Sequence, residues 1–424
     1  MQSELDRTGS GRLKALGITA HLSWALVLAS FLLSPRPALV GRIPETALLA
    51  AALGLLSIPY FRWVAYLCRP GGPPIRSRMT MLIFTITVVF GGGEYLFRSN
   101  AHKRDRIGRY HPFLQNRIER NDAALHTNSL GFRADEITKE KPEGTLRIFV
   151  MGGSTVFCGS ATFEQSHCHR LQEKLRARFP EREIEVINAG VPWYTSQHSL
   201  INYLFNIRDF EPDIVILWHG INDLYHSFSP PKLGFGEYER DYSQYHGAVG
   251  RAIFSHFGPP TRATTGIETI DRLILAVERL PVATPKPVEI EQFASLDAFR
   301  KNLVAISERM ALDGVQLVLC TQANLLRHDL EPEARESLWF AERFCVEDGV
   351  YPDFPSMVDG LASFNDVTRE VAGECGVPLI DLEQSIEKST ENFLDECHYT
   401  AKGNGRVATA LTQALLTSGV LTLE

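Results

Sequence analysis

The segment RIFVMGGST, residues 147–155, decides how this chain folds. Its mostly apolar, strand-forming residues lead into Gly152 and Gly153, and Ser154 follows directly. An apolar run that ends at a pair of glycines is typical of a buried parallel strand followed by a tight turn. Open α/β sheets build their sites beyond the carboxyl ends of their strands, so we expect Ser154 to lie at such a site.

Strand and helix patterns alternate along the chain on both sides of this segment. Strands are predicted at residues 146–151, 184–188, 213–218, 315–320 and 377–382, and helices at 164–179, 196–209, 296–312 and 405–416. This alternation predicts a flavodoxin-like three-layer α/β/α sandwich with about five parallel strands. Two long inserts, at about residues 224–293 and 321–371, interrupt the pattern.

Three apolar stretches fill the first hundred residues, at 16–33, 46–67 and 79–97. Each has about the ~20 residues that a helix needs to cross a bilayer, and none shows a clear polar face. Basic residues are balanced between the two sides, so the positive-inside rule leaves the orientation open. The predicted organisation is a membrane anchor of about three transmembrane helices over residues 1–98, a juxtamembrane connector over 99–143, and an α/β domain over 144–424.

The composition excludes several classes of function. A formal net charge of −7 gives no support for nucleic acid as a partner. The seven cysteines form no CxxC pair and the histidines show no ligand spacing, so neither a metal site nor a cofactor is predicted. The first strand of the α/β domain lacks the G-x-G-x-x-G pattern, which argues against a Rossmann-type nucleotide binder.

A serine hydroxyl becomes a useful nucleophile when a base removes its proton and a third group orients that base. The segment FLDECHYT places Asp395 three residues before His398, in a loop between the last predicted strand and the last helix. Asp395 can accept the Nδ1–H of His398, which leaves Nε2 to face Ser154. Glu391 and Glu396 are alternatives for the orienting carboxylate, although their spacing suits the role less well.

Acyl transfer also needs hydrogen-bond donors for the oxyanion that forms. The segment VINAG ends the second strand at Gly190, whose backbone N–H can approach the site. The segment WHGIND follows the third strand and supplies the side-chain amide of Asn222. Taken singly, either segment can also be an ordinary turn.

In this order on successive strand ends, Ser154, Gly190, Asn222 and His398 resemble the SGNH (GDSL-type) hydrolase family. The resemblance implies that Ser154 is the nucleophile and His398 the base, with Asp395 completing a catalytic triad. It also implies that the N–H groups of Ser154 and Gly190 join the amide of Asn222 in an oxyanion hole.

The resemblance covers about residues 144–420 and departs from the family at one position. The usual Gly-Asp-Ser of the family is Gly-Gly-Ser here, with Gly153 in place of the aspartate. Membrane-tethered relatives with HTNSLGFR-like connectors and a GGST turn also resemble this chain. The resemblance therefore indicates a reaction class without indicating which ester is the substrate.

The first hypothesis is a membrane-anchored serine ester hydrolase that forms an acyl-enzyme and acts on an O-acyl ester, such as an acetylated envelope glycan or a lipid. An alternative is an O-acyltransferase of surface polysaccharide, which uses the same triad and needs a membrane-protein partner. A further alternative is a non-catalytic binding domain. By analogy with envelope glycan esterases, we expect a multi-pass membrane protein whose α/β domain lies outside the cytoplasm.

Overall fold

The computed structural model describes residues 109–111, 114–228, 285–345 and 349–421. The predicted transmembrane helices, the start of the connector and most of the first insert lie outside these ranges. Within them, no helix combines the length and the apolar character that crossing a membrane requires.

The fold is organised around a parallel β-sheet. In chain order the strands are β1 Arg109–His111, β2 Gln115–Arg117, β3 Leu146–Gly152, β4 Ile184–Asn188, β5 Ile214–Trp218, β6 Lys286–Val288, β7 Gln316–Cys320, β8 Val350–Pro352 and β9 Leu379–Ile380. Five of them form the central sheet in the order β4-β3-β5-β7-β9, and every neighbouring pair is parallel. The prediction of an α/β fold with about five parallel strands is confirmed.

The α-helices are α1 Ser154–Phe157, α2 His167–Arg178, α3 Ser196–Phe205, α4 Ile221–Tyr225, α5 Leu296–Leu312, α6 Pro332–Arg335, α7 Phe340–Phe344, α8 Phe354–Cys375, α9 Leu382–Ser385 and α10 Ala401–Thr417. Apolar side chains of α3, α5 and α8 pack on one face of the central sheet. Those of α2 and α10 pack on the other face. The described residues therefore form three layers.

Strand β3 lies in the interior of the sheet, between β4 and β5. All seven of its residues are buried. Because side chains alternate along a strand, Ile148 and Val150 enter one core while Phe149 and Met151 enter the other. Burial on both faces explains the continuous apolar run, and it carries the chain directly to Ser154.

Helix α8 begins within the predicted insert at residues 321–371 and ends just beyond it, so this segment is not wholly an insertion. Its apolar face, including Leu361 and Phe364, packs in the core beside α5. The sequence carried signals for this helix. Asp353 caps its start by accepting from the N–H of Ser356, and Gly376 ends it in the left-handed conformation.

The predicted connector is also part of the folded domain, at least from Leu114 onward. Phe132 packs edge-on against Phe149 of β3, with ring centroids 5.4 Å apart. Next to it, the N–H of Arg133 donates to the carbonyl of Asn188 at 3.1 Å. The predicted boundary at residues 143/144 therefore does not separate two independent parts.

Candidate active site

The turn after β3 is built on two glycines that leave no room for a side chain. A Cβ on Gly152 would lie 2.5 Å from the carbonyl oxygen of Trp218. A Cβ on Gly153 would lie 2.5 Å from Nδ2 of Asn222. The φ of Gly153 is −86°, an ordinary value, so space and not backbone strain requires glycine there. This contact accounts for the Gly-Gly-Ser sequence: residue 153 packs directly against the asparagine amide.

Ser154 is the first residue of α1, and the structure places it beside the histidine predicted as its base. Its Oγ lies 2.8 Å from Nε2 of His398. On the other side of the ring, Nδ1 lies 2.8 Å from Oδ2 of Asp395. Because a carboxylate only accepts, Nδ1 carries the ring proton and Nε2 accepts from the serine hydroxyl. Three residues predicted from distant segments are therefore brought into one hydrogen-bonded chain.

Asp395 is held in place by the loop that carries it. Its Oδ1 accepts from the backbone N–H groups of Cys397 at 3.0 Å and His398 at 2.8 Å. Burial opposes the charge on Asp395, but its hydrogen bonds, the one with the ring of His398 foremost, lower its pKa below the usual value. The carboxylate is therefore ionised at neutral pH.

The imidazole of His398 is stabilised in its charged form. Burial lowers its pKa, and the hydrogen bond and negative charge of Asp395 oppose that effect by raising it. Burial also raises the pKa of Cys397 to about 11, so this thiol is neutral near pH 7. Asp395 is then the negative group beside the ring, and it favours the imidazolium that forms when a proton leaves Ser154.

Asn222, in the first turn of α4, lies directly behind the nucleophile turn. Its Nδ2 donates to the carbonyl of Tyr194 at 2.9 Å. An asparagine amide has two N–H groups, so this bond fixes the side chain and uses one of them. The predicted position of Asn222 next to Ser154 agrees with its packing against Gly153.

The structure does not support Gly190 as an oxyanion donor. Its N–H donates to Oδ1 of Asn188 at 3.0 Å, so the amide is already bound. Gly190 instead lies behind α1, where a Cβ would come within 2.5 Å of the backbone nitrogen of Phe157. An asparagine commonly bonds the backbone two residues on, so Asn188 was the residue in the sequence that could have indicated this bond.

The two alternative orienting carboxylates have other partners. Oε1 of Glu396 accepts from the backbone N–H groups of Trp339 and Phe340, both at 2.6 Å. Burial raises the pKa of Glu396 to about 7. Glu391 pairs with Lys402. Asp395 is therefore the carboxylate that orients His398.

An aromatic cluster that reaches the triad through Trp339 was missed in the sequence. The ring of Trp339 lies parallel to that of His398, with centroids 6.4 Å apart. Phe340 follows it and stacks with Trp193 at 6.0 Å. Trp193 has φ +69°, a conformation that bulky residues rarely adopt. We call Trp193, Trp339 and Phe340 the aromatic wall; the adjacent Trp-Phe pair in the second insert was its only signal.

Among comparisons with known proteins, a family model gives the informative match. The model of the GDSL-like lipase/acylhydrolase family matches residues 150–406, more than half of the chain. No curated protein sequence matches the chain. Among solved structures, the acetyl xylan esterase AlAXEase is similar at 15% identity and a TM-score of 0.38, covering 64% of this chain and 100% of that one.

Two further solved structures show similarities of the same order. The acetylxylan esterase Axe2 from Geobacillus stearothermophilus has 13% identity and a TM-score of 0.37, covering 64% of this chain and 94% of its own. A putative GDSL-like lipase from Parabacteroides merdae has 12% identity and a TM-score of 0.38, with 63% and 94% covered. Because these identities and TM-scores are low, the family assignment rests on the match to the family model. On that match, the chain belongs to the GDSL-like lipase/acylhydrolase family and is an ester-hydrolysing enzyme.

Proposed function

We propose that this chain is a serine esterase in which Ser154 is the nucleophile, His398 the general base and Asp395 its orienting group. The observation that carries the proposal is the continuous chain from Ser154 Oγ through the imidazole to the carboxylate, with 2.8 Å at each junction. Its geometry is that of the serine hydrolase triad, in which a buried aspartate holds one histidine tautomer.

The reaction follows from these contacts. Oγ of Ser154 attacks the acyl carbonyl carbon while its proton passes to Nε2 of His398, which then protonates the departing alcohol. Water attacks the acyl-enzyme in the second half, its proton goes to Nε2, and the carboxylic acid leaves as Ser154 regains its proton. The N–H of Ser154, which has no partner within α1 because it is the first helical residue, and the amide of Asn222 are the proposed oxyanion donors.

The proposed substrate is an O-acyl ester of an envelope glycan or a lipid, reached by an enzyme anchored through residues 1–98 with its site outside the cytoplasm. The aromatic wall supports this substrate class. The ring of Trp339, which lies parallel to that of His398, suits the C–H face of a sugar ring or an acyl chain and carries no charge to bind an ionic group.

The nucleophile assignment is tested with Ser154→Ala against Ser160→Ala, which changes an exposed serine on the same segment. We expect Ser154→Ala to lower kcat/KM for p-nitrophenyl acetate by about 10³-fold or more and to abolish labelling by a fluorophosphonate probe. Ser160→Ala should behave as wild type in both measurements. Persistent labelling of Ser154→Ala at the wild-type rate would show that another residue is the nucleophile.

A further inference from the structure

Arg133, in the HTNSLGFR segment of the predicted connector, is a buried charge. It is only 4% exposed. Among the described residues, no carboxylate forms an ion pair with it. A buried cation is costly unless polar groups surround it, so the partners of Arg133 show why a charge is kept at this position.

Those partners are four backbone carbonyls, and two of them belong to the end of α1, Phe157 and its capping residue Cys158. Nε donates to Leu125 O at 3.0 Å. Nη1 donates to Phe157 O at 2.9 Å and to Cys158 O at 2.5 Å, and Nη2 donates to Ala161 O at 2.6 Å. Helix α1 has a single turn, so its last carbonyls have no continuing helix to bind them. The guanidinium supplies the hydrogen-bond donors that a further helical turn would have provided.

One of these carbonyls, that of Phe157, connects to the backbone of Ser154 through a single peptide unit. The peptide that offers Phe157 O to Arg133 also carries the N–H of Cys158, which donates to Ser154 O at 2.9 Å. Asn188 holds the neighbouring peptide in the same way. Its Nδ2 donates to Val156 O at 2.7 Å, and the N–H of the same peptide donates to the carbonyl just before Ser154 at 3.0 Å.

We propose that Arg133 is a positioning residue for the nucleophile: it fixes the backbone of Ser154 so that Oγ stays in line with His398. It touches neither substrate nor reacting atoms and acts through the peptide groups of α1. The inference rests on the proposed role of Ser154 and adds that the segment before the α/β domain completes the active site.

The chain offers a matched control for a purely structural role. Arg147 is also fully buried; its Nη1 binds Lys139 O at 3.1 Å and Phe210 O at 2.8 Å, and its Nε pairs with Glu185 at 2.6 Å. It lies near the start of β3, whereas Ser154 follows the end of that strand. Loss of either arginine removes buried hydrogen bonds, but only Arg133 contacts α1.

The experiment compares Arg133→Ala, Arg133→Lys and Arg147→Ala in the full chain. It measures Tm, kcat and KM for p-nitrophenyl acetate, and the rate of fluorophosphonate labelling. Because a misplacement of about 1 Å can slow a reaction about 100-fold, we expect Arg133→Ala to lower kcat and the labelling rate by that order, with KM within about threefold of wild type. Arg133→Lys should recover part of the loss, since an ammonium can bind some of the carbonyls. Arg147→Ala should lower Tm and keep kcat within about threefold.

A folded Arg133→Ala with wild-type kcat would overturn the proposal. So would an Arg147→Ala variant that loses kcat as strongly as Arg133→Ala at an equal loss of Tm. If Arg133→Ala does not fold, Arg133→Lys decides: reduced kcat at wild-type Tm supports positioning, and wild-type kcat contradicts it. Labelling of wild-type Ser154 checks the proposed function separately, because its absence would remove the nucleophile assignment whatever the arginine variants show.

Discussion

The described residues contain two serine–histidine–aspartate groups, the candidate triad and a second group of Ser199, His219 and Asp223. In both, Nε2 of the histidine binds a serine hydroxyl, at 2.8 Å in the triad and 2.7 Å in the second group. They differ at the carboxylate. Asp395 lies 2.8 Å from Nδ1 of His398, whereas Asp223 lies 3.9 Å from Nδ1 of His219.

Their surroundings drive the protonation states in opposite directions. In the triad, hydrogen bonds lower the pKa of Asp395 in spite of its burial, and the charge of Asp395 opposes the lowering of the His398 pKa by burial. In the second group burial dominates, lowering the pKa of His219 to about 3 and raising that of Asp223 to about 7. The side chain of His398 is 25% exposed and that of His219 only 1%. A triad therefore needs a short carboxylate contact and access to solvent as well as the right residue types.

The second group serves the first by holding α4. Asp223 accepts from the N–H and the hydroxyl of Ser196, at 3.0 and 2.6 Å, and so ties α4 to the start of α3. Nδ2 of Asn302 donates to the same hydroxyl at 2.9 Å. Asn222 directly precedes Asp223, so this buried network fixes the helix that presents the proposed oxyanion donor.

The largest predicted effect separates the two histidines. We expect His398→Ala to lower kcat/KM by about 10³-fold or more, because Ser154 loses its base. His219→Ala should lower Tm, since it leaves a cavity and unpaired polar groups, and should change kcat/KM less than about tenfold. Ester hydrolysis and thermal unfolding of both variants measure this. If His398→Ala and His219→Ala lost kcat/KM equally at equal Tm, the assignment of His398 alone as the base would be contradicted.

Much of the site was readable in the sequence because its residues follow buried strands. The apolar run of β3 fixed the place of Ser154, and the spacing of Asp395 and His398 brought a carboxylate to the correct ring nitrogen. The partner of Gly190 could not be predicted in the same way, because a glycine at a strand end says nothing about which acceptor its N–H binds. That acceptor is the side chain of Asn188, two residues earlier.

Other features depend on tertiary contacts that no local pattern reports. Arg133 lay in the predicted connector and no role was predicted for it, since its carbonyl partners lie 24 to 28 residues further along the chain, apart from Leu125. Trp339 lay in a predicted insert, and its position beside His398 depends on the bond from its N–H to Glu396. Helix α8 is the exception: its cap and its apolar face were present in the sequence and were overlooked.

The second-largest predicted effect concerns Asn222, the residue that connects the network around Asp223 to the triad. Gly153→Ala places a Cβ 2.5 Å from Nδ2 of Asn222, and the amide must move. Losing one oxyanion donor costs about 10² in kcat in comparable sites, so we expect a fall of about 10- to 100-fold with little change in KM. The control is Gly373→Ala in α8, where a Cβ meets no atom within 4 Å and kcat should be unchanged. Wild-type kcat in Gly153→Ala would argue against Asn222 as a donor.

The smallest predicted effect is on the pH dependence of the unfolding free energy. Asp223 and Asp395 contribute to this dependence with opposite signs. The pKa of Asp223 in the folded state, about 7, lies above its ordinary value of 3.8, so its contribution to stability is fully present below about pH 4 and is lost as the pH rises through about 7. The asparagine side chain in Asp223→Asn does not ionise, so this loss of stability with rising pH is absent from the variant. Relative to wild type, its unfolding free energy should rise by about 2 kcal/mol between pH 5 and pH 8.

Asp395 has a lowered pKa, so its contribution is present above its ordinary value and is lost as the pH falls through the folded value. Asp395→Asn should therefore be destabilised relative to wild type at neutral pH and approach wild-type stability in acid. Urea unfolding of both variants across pH 3 to 8 measures the two slopes. If both variants showed slopes of the same sign, burial would dominate the pKa of Asp395 as it dominates that of Asp223. The short contact between Asp395 and His398 would then not hold a charged carboxylate.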